Sequence, residues 1–250
     1  MNYLGAVGLR ELPGGDRNKL NAFDTDVLLF LNQFAHHSRT LDLTARTLAV
    51  SPLSKGGLVV AAFWWVWFWP GDATARNRKI VIATLLSSVA AVMAGRLLAL
   101  YLPFRLRPIH APELGFVLPY GTTQEVLRGW SSFPSDHAMA FFAASTGLWF
   151  VSRRLGAILT AYVAIFVALP RVYLGLHYPT DVLAGAFIGA LFGWLANLEP
   201  WRTRLAAPAL RWADLHPSSF YVFFFFFTEG LMTMFESVRH LALDIFLGAR

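Results

Sequence analysis

The 250-residue sequence contains no cysteine, which excludes disulfide staples and thiolate-held metal and leaves histidine and carboxylates as the only ligand types. Charge is almost as scarce. Charged residues make up 14% of the chain and hydrophobic ones 56%, whereas a soluble domain carries about a quarter charged residues. An ordinary water-soluble fold is therefore excluded. No carboxylates recur at the spacing of a cation site, so neither a metal nor another cofactor is expected. Repeats and low-complexity linkers are also lacking, which argues against a solenoid, although the phenylalanine run at 223–227 is unusual in composition. The first 22 residues are polar, mixed in charge and without a compact apolar stretch, so no cleavable leader is expected and targeting rests on internal segments.

What is present is a series of apolar runs near the roughly 20 residues a helix needs to cross hydrocarbon while satisfying its own backbone. They run about Pro52 to Pro70, Ile80 to Leu102, Ala138 to Val151, Leu155 to Leu174 and Val182 to Leu198. The stretch from Asp26 to Ser51 is interrupted by His36, His37, Arg39, Asp42 and Arg46, and reads as a poor span or a surface helix. Beyond Pro200 the chain turns polar, then produces FYVFFFFFTEGLMTMF, read as an interfacial helix or a further crossing. The predicted fold is all-α, a polytopic membrane bundle of about six transmembrane helices. Residues 1–200 form the membrane domain and 201–250 a C-terminal extension. Trp64, Trp65, Trp67 and Trp69 close one span and suit the headgroup zone.

The formal charge of +6 and pI near 10 do not point to nucleic acid, because Lys and Arg sit in short turns where anionic lipid heads and topology signals are read. Arg76, Arg78 and Lys79 fall in one turn, Arg153 and Arg154 in another, and Arg202, Arg204 and Arg211 follow Pro200. The positive-inside bias makes that side cytoplasmic. Residues 104–136 and 175–180 then share the opposite face.

Three groups of polar residues converge there. In RVYLGLHYPTD, Arg171 precedes His177 by six positions and Asp181 follows it by four, one helical turn. A carboxylate so placed can take the proton of one imidazole nitrogen and leave the other as a nucleophile. The same residues also suit a plain helix start, with Asp181 as a cap. In SSFPSDHAMAFF, Pro134, Ser135, Asp136 and His137 open another span. A helix start offers free amides to phosphate, and His137 could protonate a leaving oxygen; alternatively Ser135 is simply the N-cap. In PFRLRPIH, Arg105 and Arg107 sit on the face that should be poor in positive charge, where guanidinium forks match phosphate oxygens.

Together these motifs resemble the type 2 phosphatidic acid phosphatase family of membrane lipid phosphatases, which shares its helical core with the vanadium haloperoxidases. The family pattern of Lys, six residues, Arg-Pro is met by Arg107-Pro108; Pro-Ser-Gly-His by Pro134-Ser135-Asp136-His137; and Ser-Arg, five residues, His, three residues, Asp by Arg171, His177 and Asp181. The likeness covers about 96–181. Three positions depart from it. Leu100 stands where the family has Lys, and either Arg96 or Arg105 would have to substitute; Pro170 replaces Ser; Asp136 replaces Gly and adds negative charge beside the phosphate.

The resemblance implies that Arg107, Arg171 and Ser135 hold phosphate oxygens and that His177, oriented by Asp181, attacks phosphorus. His137 would then protonate the leaving group and activate water against the phosphohistidine, with no metal required. A phosphorylated lipid is the implied substrate and membrane lipids the surroundings. FPSDHA with an RxRP motif looks most like the undecaprenyl diphosphate phosphatases of the bacitracin-resistance type, which implies a bacterial inner membrane and a site facing the periplasm. Phosphatidylglycerol phosphate, phosphatidate and lipid A phosphates stay open as substrates, as do a phosphotransferase and a non-catalytic lipid binder. The loop 109–132, with His110, Glu113, Glu125, Arg128 and Trp130, is expected to shape the choice.

Overall fold

A computed structural model of the chain describes residues 21–235, and every regular element among them is helical. Helix α1 (Ala22–Asn32) starts where the Asn21 side chain takes the Phe23 amide, and α2 (Arg39–Val50) where Ser38 takes that of Leu41, each satisfying an otherwise orphaned donor. Pro52 then interrupts the ladder. A π-type turn at Leu53–Gly57 leads into α3 (Leu58–Trp67), and the run Leu53–Trp67 is bent by 65° from α2. The polar residues of 26–51 thus break the segment into two short helices instead of one span. Asp42, fully buried, accepts the Tyr173 hydroxyl and the amides of His36 (3.1 Å) and Tyr120 (2.9 Å), so its charge faces protein and not lipid.

Helix α4 (Thr74–Tyr101) has 28 residues, about 42 Å at 1.5 Å per residue. After the long loop come α5 (Asp136–Trp149), α6 (Arg153–Tyr162), a π stretch at Val163–Ala168 and α7 (Leu169–Tyr173). The last three form one continuous run, and the π stretch ends two residues before Pro170, which cannot donate to the helical ladder. Then follow α8 (Pro179–Ala196), α9 (Trp201–Leu215) and α10 (Pro217–Met232).

Among the described residues, three helices are long and apolar enough to cross a membrane, α4, the run 153–173 and α8, or four if the bent α2–α3 pair is one span. Helix α5, with 14 residues, and α10, with 16, fall short. The reason is visible in α5. It lies between α4 and α8, with most of its side chains buried against protein, so hydrocarbon length does not govern it.

The α5–α8 contact is a backbone contact. A Cβ on Gly189 would lie 2.2 Å from the Met139 carbonyl oxygen, and one on Gly193 2.4 Å from that of Ala143. Only glycine permits this approach, the small-residue packing by which helices associate in lipid. The tryptophans divide. Trp65 and Trp69 stay exposed, but Trp67 is fully buried, stacked on Phe220 at 5.4 Å and donating to the Tyr221 hydroxyl, while Trp64 donates to Thr228. Helices α9 and α10 therefore pack into the same apolar core through Ala206, Phe220, Phe224 and Leu231. At one end of the bundle Arg76 reaches the Phe150 carbonyl, Arg78 that of Trp67, and Lys79 the Thr203 hydroxyl, which gathers the basic turns there. The residues of the three motifs lie at the other end.

Candidate active site

Helix α4 delivers the chain to Arg107, whose buried guanidinium is held by three carbonyls: Nε to Trp130 at 3.1 Å, Nη2 to Ser131 at 3.0 Å and Nη1 to Leu176 at 2.5 Å. The cation is thereby locked across the loop that precedes α5 and the loop that precedes α8. Burial lowers its pKa to about 10, so it remains charged at neutral pH. Its Nη1 lies 3.3 Å from Nε2 of His177.

The other ring nitrogen of His177, Nδ1, is 2.7 Å from the Ser132 carbonyl. A carbonyl only accepts, so Nδ1 carries the proton and Nε2 presents its lone pair beside Arg107. Asp181 is 3.8 Å from Nδ1, too far for a hydrogen bond. The direct His–Asp orienting bond expected from the spacing is thus replaced by one to Ser132, with Asp181 acting on the ring through its charge. Asp181 also fulfils the capping reading, because its Oδ2 accepts the Tyr178 amide at 2.8 Å. Burial lowers the His177 pKa to about 4, with the charges of Arg107 and Arg171 acting in the same sense and Asp181 opposing them.

Arg171, on α7, is buried and donates Nη2 to the Ala49 carbonyl at 3.1 Å, while its Nε has no partner among the described residues. Ser135 precedes α5 but makes no capping bond, and its Oγ is likewise buried without a partner. An unpaired buried donor is expensive in a folded protein, and a phosphate oxygen would satisfy it. Arg107, Arg171, His177 and His137 line one cavity of about 500 Å³. Lys55, Arg96, Asp136, Trp130 and the end of α10 line it too. Among the described lining residues four cations, Lys55, Arg96, Arg107 and Arg171, stand with the carboxylate of Asp136, a balance that suits an anion.

Two expected phosphate ligands, Arg105 and Arg96, form ion pairs with carboxylates. Arg105 does not line this cavity. Its guanidinium joins Asp24 at 2.7 Å, Asp181 at 2.5 Å and the Thr180 hydroxyl at 2.9 Å, over the Tyr178 ring. Both carboxylates are inaccessible to solvent, so they claim the nearest cation. Arg96 does line the cavity, where it is paired with Asp136 and stacked on Trp130 at 4.8 Å, so the charge that Asp136 adds is offset by Arg96. Of the long loop, Val126, Leu127 and Trp130 reach the cavity wall, whereas Glu125 pairs with Arg128 in solvent.

Sequence reasoning passed over Lys55, Asp24 and the carbonyls of Trp130, Ser131 and Ser132. Lys55 carried a legible signal, as a single cation within the apolar run from Pro52 to Pro70, where a charge marks function by default. Backbone carbonyls carry none.

Residues 83–204 match the model of the PAP2 superfamily, and relatives that the chain resembles are named phosphatases. Among curated relatives, it is 24% identical to undecaprenyl-diphosphatase BcrC of Bacillus subtilis over 68% of this chain and 80% of that one. It is 31% identical to an undecaprenyl-diphosphatase of Sulfolobus acidocaldarius over 48% of this chain and 55% of that one. With the lipid A 1-diphosphate synthase of Escherichia coli it shares 28% identity over 73% of this chain and 78% of the relative.

Proposed function

We propose that this protein is a metal-independent lipid phosphatase that works through a phosphohistidine on Nε2 of His177, with undecaprenyl diphosphate as the first-choice substrate. The observation that carries the reading is the His177 ring itself. Its proton is directed at the Ser132 carbonyl and its lone pair lies 3.3 Å from a buried, charged Arg107, beside an Arg171 with an unsatisfied Nε.

In this mechanism Arg107 and Arg171 draw the nonbridging oxygens into place and hold the charge that spreads over them as phosphorus becomes trigonal. The Nε2 lone pair forms the N–P bond while the bond from phosphorus to the leaving oxygen breaks, and His137, at the start of α5 on the cavity wall, gives that oxygen its proton. His137 then takes a proton from water as the water oxygen attacks phosphorus. Phosphate leaves and the Nε2 lone pair is restored. A diphosphate substrate suits the site, since its leaving group is itself a phosphate and needs less help from a proton donor.

The cavity lies at the end of the bundle opposite the basic turns. In a bacterial inner membrane the positive-inside bias turns it toward the periplasm, beside lipid whose tail stays in the bilayer. The relative named lipid A 1-diphosphate synthase supports a second reading, transfer of the phosphoryl group to a lipid acceptor in place of water. Purified protein in detergent, offered a panel of lipid mono- and diphosphates with and without excess chelator, tests both. Phosphate release that persists in chelator and vanishes in His177→Ala is expected. Full activity of His177→Ala, or strict magnesium dependence, would sink the proposal, and a phosphorylated lipid product would mark transfer.

A further inference from the structure

We infer that Arg105 is a positioning residue that acts on His177 through Asp181: its side chain holds that carboxylate off the ring, and its backbone fixes the carbonyl that takes the ring's proton instead. The inference deepens the phosphatase reading above and rests on it for the role of His177. Two acceptors compete for the proton on Nδ1, the Ser132 carbonyl at 2.7 Å and Asp181 Oδ2 at 3.8 Å. Arg105 supports the first and restrains the second.

The support comes from the main chain. The Arg105 amide donates to the Ser131 hydroxyl at 3.2 Å, and its carbonyl accepts the Ser132 amide at 2.9 Å, which sets the Ser132 carbonyl against the ring. The restraint comes from the side chain. Nη1 donates to Asp181 Oδ1 at 2.5 Å and to the Thr180 hydroxyl at 2.9 Å, and Nη2 donates to Asp24 Oδ2 at 2.7 Å. Asp181 Oδ2 already accepts the Tyr178 amide at 2.8 Å, so each oxygen of this carboxylate has a donor other than His177. Asp24 anchors the arrangement. It comes from α1, ahead of the matched residues 83–204, and accepts both the amide of Thr180 at 2.8 Å and its hydroxyl at 2.6 Å. The guanidinium is thus pinned across the first turn of α8, over the Tyr178 ring at 4.1 Å.

The arrangement has a chemical consequence. A carboxylate bonded to Nδ1 makes Nε2 more basic than a neutral carbonyl does, because it stabilises the protonated ring. A less basic Nε2 leaves phosphorus more readily when water attacks and the electron pair of the N–P bond returns to nitrogen. Holding Asp181 back therefore favours breakdown of the phosphohistidine.

The test is heteronuclear NMR of the purified full-length protein carrying isotopically labelled histidine, with the His177 signal assigned by its loss in His177→Gln. It reads where and at what pH the ring is protonated, and needs no turnover. The other charged groups facing the ring are Arg107 after α4, Arg171 on α7, His137 and the Arg96–Asp136 pair beside α5, and Lys55 before α3; every variant keeps them. The wild-type ring should carry its proton on Nδ1 and titrate at about 4. Asp24→Asn leaves Arg105 on Asp181 and should not move that midpoint. Asp24→Asn/Arg105→Gln frees Asp181 to accept from Nδ1 and should raise it by roughly one to two units. Asp24→Asn/Arg105→Lys, with one cation again facing one carboxylate, should bring it most of the way back. Adding Asp181→Asn to the Asp24→Asn/Arg105→Gln protein should cancel most of the rise, since the effect runs through that carboxylate. A cation that only stabilises the fold would lower the melting temperature and leave the midpoint alone. An unchanged midpoint in folded Asp24→Asn/Arg105→Gln, or a rise that survives Asp181→Asn, would overturn the inference. So would a wild-type ring titrating at or above the ordinary histidine value, which needs no variant and would show Asp181 already bonded to Nδ1. If His177→Ala abolishes phosphate release while the midpoint stays fixed in the Arg105 variants, only the positioning assignment falls. If the midpoint moves as described but the wild type hydrolyses no lipid phosphate, only the phosphatase reading does.

Discussion

Replacing Arg105 with Gln separates a structural cation from a substrate-binding one. The Arg105 side chain is 20% exposed and sits between Asp24 and Asp181, both fully buried, at 2.7 and 2.5 Å. Removing it leaves two buried carboxylates facing each other without a counter-charge. Breaking a buried ion pair by deleting one partner destabilises by about 3–5 kcal/mol, and here one deletion breaks two pairs, so the upper end of that range is expected. The loss should be partly recovered in Asp24→Asn/Arg105→Gln, because the double variant restores a neutral partner for Thr180 and leaves one carboxylate where there were two. The assay is thermal unfolding of the purified protein in detergent as a double-mutant cycle, with inorganic phosphate affinity measured below the transition. Stability should fall steeply, and affinity of the folded fraction should change little. An Arg105→Gln protein as stable as wild type but unable to bind phosphate would refute this reasoning and return Arg105 to the phosphate clamp.

The His177 pKa, lowered to about 4 by burial, gives a pH signature. The unfolded ring binds its proton near 6.5, so below that pH the unfolded state holds more protons than the folded one, and stability declines as pH falls from about 6.5 to 4. The full effect is about 3 kcal/mol; His177→Gln should remove this share of the decline, and an identical pH profile in the variant would contradict the buried, neutral ring. Asp136→Asn strips Arg96 of its partner and should tighten phosphate binding by roughly two- to fivefold, the worth of a partly exposed ion pair; weaker binding would show that Asp136 serves the anion in another way. Gly189→Val places a side chain where even a Cβ lies 2.2 Å from the Met139 carbonyl oxygen. It should cost about 1–3 kcal/mol or more in thermal stability, and a neutral result would mean that α5 and α8 are not in backbone contact.

How far the site could be read from sequence depends on what holds each residue. The spacing of Arg171, His177 and Asp181 is local, spanning one helix end, a short loop and the next helix start, and local chemistry is legible in a single chain. Composition and apolar runs likewise point to a helical membrane bundle, because a continuous apolar run near 20 residues long satisfies its own backbone in hydrocarbon as a helix. The positions of the turns rich in Arg and Lys, which gather at one end of the bundle, are legible by the same kind of near-neighbour argument.

Tertiary structure decided the rest. Whether Arg105 meets a substrate or a carboxylate depended on Asp24, 81 positions away, and on Asp181, 76 positions away, and no periodicity reports a pairing at that distance. The proton on His177 went to a backbone carbonyl, which has no sequence identity to read. Helix α5 lies encased between α4 and α8, and glycine at 189 and 193 lets the backbones of α5 and α8 touch. Lys55, which also lines the cavity, was visible only as a lone charge among apolar residues. Folding placed it on the same cavity wall as Arg171, and for a physical reason: the bend between α2 and α3, together with the close packing of Gly56 on Met232 and Phe141, buries the turn against protein.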